Sequence, residues 1–157
     1  MIAQGQALPS ATFSLLDEQG MTHPSTEQLF AGKKVVLFAV PGAFTPTCSA
    51  KHLPGFIAHQ AQFSSKGVDN IICLSVNDAF VMKAWGEHQG AQGVTMLADG
   101  DASFTKAIGL DKDTAGFGGI RSKRYAMVVD DGVVTQLFVE QDKQFGVSSA
   151  EQVLANL

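Results

Sequence analysis

Along this 157-residue chain the apolar positions follow two different periods. Lys34–Val40 (KVVLFAV) is an almost continuous apolar, β-branched run of strand length, as are Val68–Val76 and the shorter Val94–Ala98. Runs without polar alternation predict strands buried on both faces. Between them Leu53, Phe56, Ile57, Gln60 and Phe63 fall at helical spacing, with Gly67 as a stop. Asn77-Asp78 supplies caps for a helix through about His88, and Asp101–Ile108 reads as a short helix. Ser25 with Gln28 forms a capping-box pattern for a helix through Phe30, and Ser148 with Glu151 repeats it for a last helix to Leu157. Two hairpins complete the reading. Ala11–Leu16 turns at Asp17–Gly20 into Met21–His23, and Arg124–Val129 turns at Asp130-Asp131-Gly132 into Val133–Val139.

The resulting order is β-α-β, then α-β-α, then an antiparallel hairpin and a closing helix. Right-handed crossovers place helices on both faces of a mixed sheet. The expected fold class is therefore α/β, a thioredoxin-like three-layer sandwich. Chain length suits one domain over residues 1–157.

Composition narrows the function classes. A 45% hydrophobic, 17% charged chain is that of an ordinary soluble globular protein. A net charge of -4 gives no reason to expect nucleic acid or an anionic membrane as partner, and Arg121-Ser-Lys-Arg124 is too short a basic cluster to change that. The opening MIAQGQALPS lacks the pattern of a signal peptide, and no apolar run reaches bilayer-spanning length. A cytoplasmic location is the expectation, with both cysteines, Cys48 and Cys73, held as thiols.

Cys48 closes an unusual stretch, PGAFTPTC (Pro41–Cys48), between a buried strand and a helix. With Thr45 as the cap, Pro46 occupies the first helical position, where its missing N–H costs nothing. Cys48 then lies in the first turn, near unpaired N–H groups and the positive end of the helix dipole. That setting favours thiolate over thiol. The strand-to-helix crossover also puts the loop at the carboxyl edge of the sheet, where open α/β folds build their sites. Pro54, inside the helical pattern, should kink the helix and help to present Cys48. The plain alternative is a buried, inert cysteine.

PGAFTPTCSAKHLPGF resembles the active-site signature of the peroxiredoxins in their type II (atypical) form, and the similarity runs on through VDNIICLSVNDAFVMKAWG, MLADGDASFTKAIGL and RSKRYAMVVDDGVV. It covers nearly the whole chain. The resemblance implies a thiol-dependent peroxidase without metal, haem or flavin, reducing hydrogen peroxide and small alkyl hydroperoxides. It would be recycled by glutathione with glutaredoxin or by thioredoxin, and a homodimer is implied. Cys48 would be the peroxidatic cysteine, Thr45 would hydrogen-bond the peroxide, Pro41 would shield the thiol, and Arg124 would be the active-site guanidinium. Arg121 competes with Arg124 but fits the motif less well. A peroxide sensor or relay that oxidises a partner through Cys48 is the alternative, and a thioredoxin-like binding protein with an incidental cysteine a more distant one.

The resemblance implies that Cys73, in NIICLSVND, could be a resolving cysteine, whereas its place in an apolar run reads as a buried strand thiol too deep for easy pairing with Cys48. His52, one helical turn beyond Cys48, reads as a solvated helix position, since no third group orients it for hydrolase chemistry. Gly116–Arg121 (GFGGIR) follows no strand and reads as a flexible loop, in which Phe117 lines an entrance or an interface. Phe80, Met82 and Trp85 read as packing surface of their helix, and the resemblance to a family that dimerises near its active site leaves a contact role open for them.

Overall fold

Residues 1–157 are described by a computed structural model. A hairpin of β1 (Leu15–Asp17) and β2 (Gly20–Thr22) leads to helix α1 (Thr26–Phe30) and strand β3 (Lys34–Val40). A helical segment then runs from the Cys48 loop into α2 (Leu53–Ala58) and α3 (Gln60–Ser65). Next come β4 (Asn70–Ser75), α4 (Ala79–Gln89), β5 (Val94–Ala98) and α5 (Ser103–Ala107). A second small hairpin, β6 (Asp111–Asp113) and β7 (Ile120–Ser122), precedes β8 (Tyr125–Asp130), β9 (Val133–Val139) and α6 (Ala150–Ala155).

The central sheet has the order β5-β4-β3-β8-β9. β3, β4 and β5 run parallel, whereas β8 is antiparallel to β3 and to β9. Strand alternation divides the core in two. Val36, Phe38 and Val40 of β3, with Cys73 of β4 and Ala126 and Val128 of β8, pack beneath α2, α4 and α6. Val35, Leu37 and Ala39, with Ile72, Leu74 and Met127, pack against Phe30 of α1 and Phe104 of α5. The α/β three-layer arrangement with a mixed sheet is thus the expected one. No helix is long and apolar enough to cross a membrane.

Several local expectations need correction. The helical stretch after Cys48 breaks at His59, whose backbone leaves helical geometry and whose ring Nδ1 meets the Gly55 carbonyl at 2.8 Å. Gly116–Arg121 is not a free loop, because Ile120 and Arg121 pair with Asp113 and Lys112 in the β6-β7 hairpin. The cap of α6 is Ser149, which accepts from Gln152 N–H, while Ser148 is bound elsewhere. Asp78 caps α4 as anticipated, and Ser25 with Gln28 closes a full capping box on α1.

Candidate active site

Cys48 sits where the carboxyl end of β3 feeds a helix. After Val40 the loop reverses at Phe44, whose φ of 62° lies in the left-handed region that non-glycine residues enter at a cost of about 1–3 kcal/mol. The side chain of Asn77, at the end of the neighbouring β4, holds the loop: its Oδ1 accepts from Ala43 N–H at 3.0 Å and from the Ser75 hydroxyl at 2.6 Å. The sequence reading gave Asn77 only a helix-capping part.

Thr45 stands just before the helix, but its hydroxyl does not cap. It donates to the Gly42 carbonyl at 2.6 Å, because the turn at Phe44 folds Thr45 back over Gly42. Pro46 opens the helical run, and Ser49 N–H closes the first turn on the Thr45 carbonyl at 2.9 Å. The amides of Thr47 and Cys48 therefore lie among the first-turn donors without intrahelical acceptors. From Cys48 to His52 the helix is widened to a π-turn, with Leu53 N–H bonded to the Cys48 carbonyl. Pro54 explains the widening. Its ring cannot sit against the Ala50 carbonyl and has no N–H to offer, so the preceding turn opens instead.

Cys48 is fully buried. Arg124, one residue before β8, reaches it from across the sheet. Nη2 donates to Cys48 Sγ at 3.1 Å, and Nη1 donates to His52 Nδ1 at 2.9 Å. Alternation explains the approach, since Arg124 shares the face of Ala126 and Val128, which is the face under the Cys48 helix. The Ala39–Tyr125 pair sets Arg124 beside Val40, where the loop begins.

His52 corrects the expectation of a solvated position: it is fully buried. Its ring lies 4.9 Å from Phe38, 5.7 Å from Phe56 and 5.1 Å from Phe145. Nε2 meets the Ser148 carbonyl at 3.0 Å. Arginine has only donors and a carbonyl only accepts, so Nδ1 carries the lone pair and Nε2 the proton. Burial and then the Arg124 charge push His52 down from 6.5 to about 3, so the ring is neutral throughout the physiological range. The sequence signal for it was weak: a histidine four residues from Cys48, with nothing nearby in sequence to bind it.

Arg121 does not reach the thiol. Its Nε donates to Gly118 at 3.0 Å and Nη1 to Val76 at 3.3 Å, which ties the β6-β7 turn to the end of β4. Cys73 lies mid-strand, paired in register with Phe38 and Met96, and fully buried. Both cysteines are free. Burial, and then the neighbouring Cys48, push the Cys73 thiol up, so it resists ionisation. Pro41 is half-buried and lines, with Thr47, Arg124 and Phe145, a cavity of about 820 Å³ that also meets Lys51 and Lys123. Phe44, Phe80 and Phe117 are exposed, whereas Met82 and Trp85 are core residues, and Trp85 Nε1 donates to Ser49 Oγ at 3.0 Å beside Cys48.

This arrangement has close counterparts. Residues 3–154 match the family model described as Redoxin. The chain is 50% identical to Peroxiredoxin-2B of Arabidopsis thaliana, over 99% of this chain and 98% of that protein. It is 49% identical to Peroxiredoxin sll1621 of Synechocystis, over 85% of this chain and 75% of that one. Among solved structures, reduced Prx3 of Vibrio vulnificus in complex with H2O2 is 67% identical and superposes with a TM-score of 0.98, covering 99% of each chain. The oxidised form of the same protein is 68% identical, with a TM-score of 0.94 and full coverage of both chains.

Proposed function

The chain belongs to the redoxin family and, within it, to the peroxiredoxins, and from that premise we propose that it reduces hydrogen peroxide and small alkyl hydroperoxides through Cys48 and is recycled by an external thiol. The observation that carries the proposal is the Arg124 Nη2 donor 3.1 Å from Cys48 Sγ, on the helix turn whose amides are still free. Cys48 as thiolate attacks the terminal oxygen of the hydroperoxide. An S–O bond forms, the O–O bond breaks, and the departing oxygen leaves as hydroxide or alkoxide and takes up a proton. Sulfur is oxidised to the sulfenic acid and the peroxide is reduced to water or alcohol. Negative charge moves from sulfur to the leaving oxygen, so donors fixed along that line stabilise the transition state more than the ground state.

Arg124 and the Cys48 amide are such donors. Thr45 has spent its only proton on Gly42, so its oxygen keeps acceptor lone pairs for the O–H of the peroxide. Half-buried Pro41 covers one side of the entrance. That the Vibrio vulnificus relative is bound to H2O2 supports the small substrate.

Recycling needs a second thiol. Cys73 suits that role poorly, because it is buried in the middle of the sheet and held in its neutral form. Glutathione with glutaredoxin, or thioredoxin, is the proposed source: a thiol displaces water from the sulfenic acid to form a mixed disulfide, which a second thiol cleaves. Lys51 and Lys123 beside the cavity offer such a reductant cationic contacts. A cytoplasmic homodimer, joined near exposed Phe44 and Phe80, completes the reading.

The test is peroxide consumption by wild type, Cys48→Ser and Cys73→Ser, each supplied with thioredoxin or with glutathione and glutaredoxin. Loss of turnover in Cys48→Ser and full turnover of Cys73→Ser with one system is the expected result. A Cys48→Ser variant that keeps its rate would end the proposal. Sedimentation of the reduced protein tests the dimer.

A further inference from the structure

We propose that His52 is a positioning residue that aims the Arg124 guanidinium at Cys48, and that it is itself held by Ser148 and Glu140. The inference rests on the peroxidase reading above but goes beyond its four-residue site. A guanidinium on a long side chain turns freely unless two of its donors are engaged. Here one fork arm points at Cys48 Sγ, and the other donates to His52 Nδ1 at 2.9 Å. The His52 ring is set in turn by the Ser148 carbonyl 3.0 Å from Nε2.

Ser148 belongs to a segment with no strand or helix of its own, between β9 and α6. One carboxylate oxygen holds it in place: Glu140 Oε2 accepts from Gly146 N–H at 2.7 Å, Ser148 N–H at 2.8 Å and the Ser148 hydroxyl at 2.7 Å. Partial burial pushes Glu140 up, but these donors outweigh it and hold the carboxyl below its ordinary value. The phenyl ring of Phe145, from the same segment, covers both His52 and the guanidinium. The line Glu140, Ser148, His52, Arg124, Cys48 is thus an unbroken series of contacts from the surface to the sulfur. A positively charged His52 would lose its Nδ1 acceptor and repel Arg124, so the neutral ring is a requirement of the arrangement.

The experiment compares wild type, His52→Phe, His52→Asn and Glu140→Ala by stopped flow, using the fluorescence of the single tryptophan, Trp85, beside Ser49. The rate of oxidation by H2O2 and the rate of sulfenic acid reduction by a small thiol are measured separately. His52→Phe keeps the ring volume but offers no acceptor, and should oxidise at least about tenfold more slowly. His52→Asn presents an amide oxygen near the Nδ1 position and should recover a large part of that loss. Glu140→Ala should fall between, and all three should leave the reduction step unchanged. NMR of the Arg124 guanidinium, with faster rotation in His52→Phe than in wild type, reads the same contact without turnover. Wild-type oxidation rates and unchanged rotation in His52→Phe overturn the proposal. So do equal losses in His52→Phe and His52→Asn that extend to both half-reactions, the mark of a merely structural role. If wild type itself fails to react with peroxide, the enzyme reading falls, while the rotation measurement still decides for or against His52. Should His52→Phe not fold, His52→Asn and Glu140→Ala decide by the same two rates.

Discussion

Arg124 Nη2 and Cys48 Sγ stand 3.1 Å apart although 76 positions separate them in the chain. The sheet makes that contact, since β8 lies directly beside β3 and the Cys48 loop leaves the end of β3. Removing the guanidinium takes away one fixed donor to the reacting sulfur and the departing oxygen. Arg124→Ala should slow peroxide oxidation of Cys48 by about 10²–10³-fold. Arg124→Lys keeps the charge but cannot bridge sulfur and His52 at once, so it should recover only a small part. Arg121→Ala, which releases two backbone carbonyls away from the thiol, should change the rate far less. Second-order rate constants for the first oxidation step decide the matter, and equal losses in the two alanine variants would contradict the assignment.

Asn77 gives a second prediction. Its Oδ1 is the acceptor for the Ala43 amide and the Ser75 hydroxyl, the latter fully buried. Asn77→Ala leaves the Ala43 amide without its acceptor and the Ser75 hydroxyl with only the Val40 carbonyl at 3.3 Å, which should cost about 1–3 kcal/mol of unfolding free energy. The Phe44 turn should also relax, because nothing else on the Ala43 amide holds it. A several-fold slower oxidation of Cys48 is expected together with the stability loss, read by urea unfolding and stopped flow. Loss of stability with an unchanged oxidation rate would separate Asn77 from the site.

Much of this was legible in the sequence, for a physical reason. The strands of the sheet are buried on both faces, so their apolar runs stand out, whereas Arg124 was marked by the resemblance in RSKRYAMVVDDGVV and not by any local period. The helix start announced itself through Pro46, while the capping part read for Thr45 did not hold, because its hydroxyl turns back to Gly42. His52 was misread because the groups that hold it, Arg124 and the Ser148 carbonyl, are 72 and 96 positions away. Local pattern cannot show a partner that only the tertiary fold supplies. Ser148 was misread as a helix cap for a more local reason: its hydroxyl answers to Glu140, eight positions back, while Ser149, one step on, does the capping. The β6-β7 hairpin escaped notice because its strands are as short as β1 and β2 but lack a compact turn signal like Asp17–Gly20, and the glycine-rich connection Gly116–Gly119 reads as loop.

Cys73 provides a third test. Its side chain is enclosed by the sheet and the helices above it, and the thiol is held neutral by burial. Alkylation of the reduced, folded protein should therefore leave Cys73 unmodified until the chain is unfolded, as peptide mass mapping would reveal. Cys73→Ala should retain peroxide oxidation of Cys48 and lose about 1 kcal/mol of stability from the small void. Labelling of Cys73 in the native protein at a rate comparable with Cys48 would show that β4 opens readily, and would restore its candidacy as a resolving thiol.

The last prediction concerns acid stability. His52 falls from 6.5 to about 3 in the folded protein, through burial first and the Arg124 charge second. Between those values the unfolded chain binds a proton at His52 and the folded chain does not, so stability must rise with pH across that window and fall as pH drops below about 6.5. Each unit is worth about 1.4 kcal/mol, which puts the His52 contribution at about 2–3 kcal/mol lost by pH 4.5. His52→Phe cannot take up that proton. The stability advantage of wild type over His52→Phe at pH 7 should therefore shrink by about 2–3 kcal/mol at pH 4.5. Urea unfolding of both proteins at pH 7, 5.5 and 4.5 measures the difference directly. Parallel stability curves would mean that His52 takes up its proton as readily in the folded protein as in the unfolded chain, and a protonated imidazole cannot accept the hydrogen bond from Arg124 on which its position at the site depends.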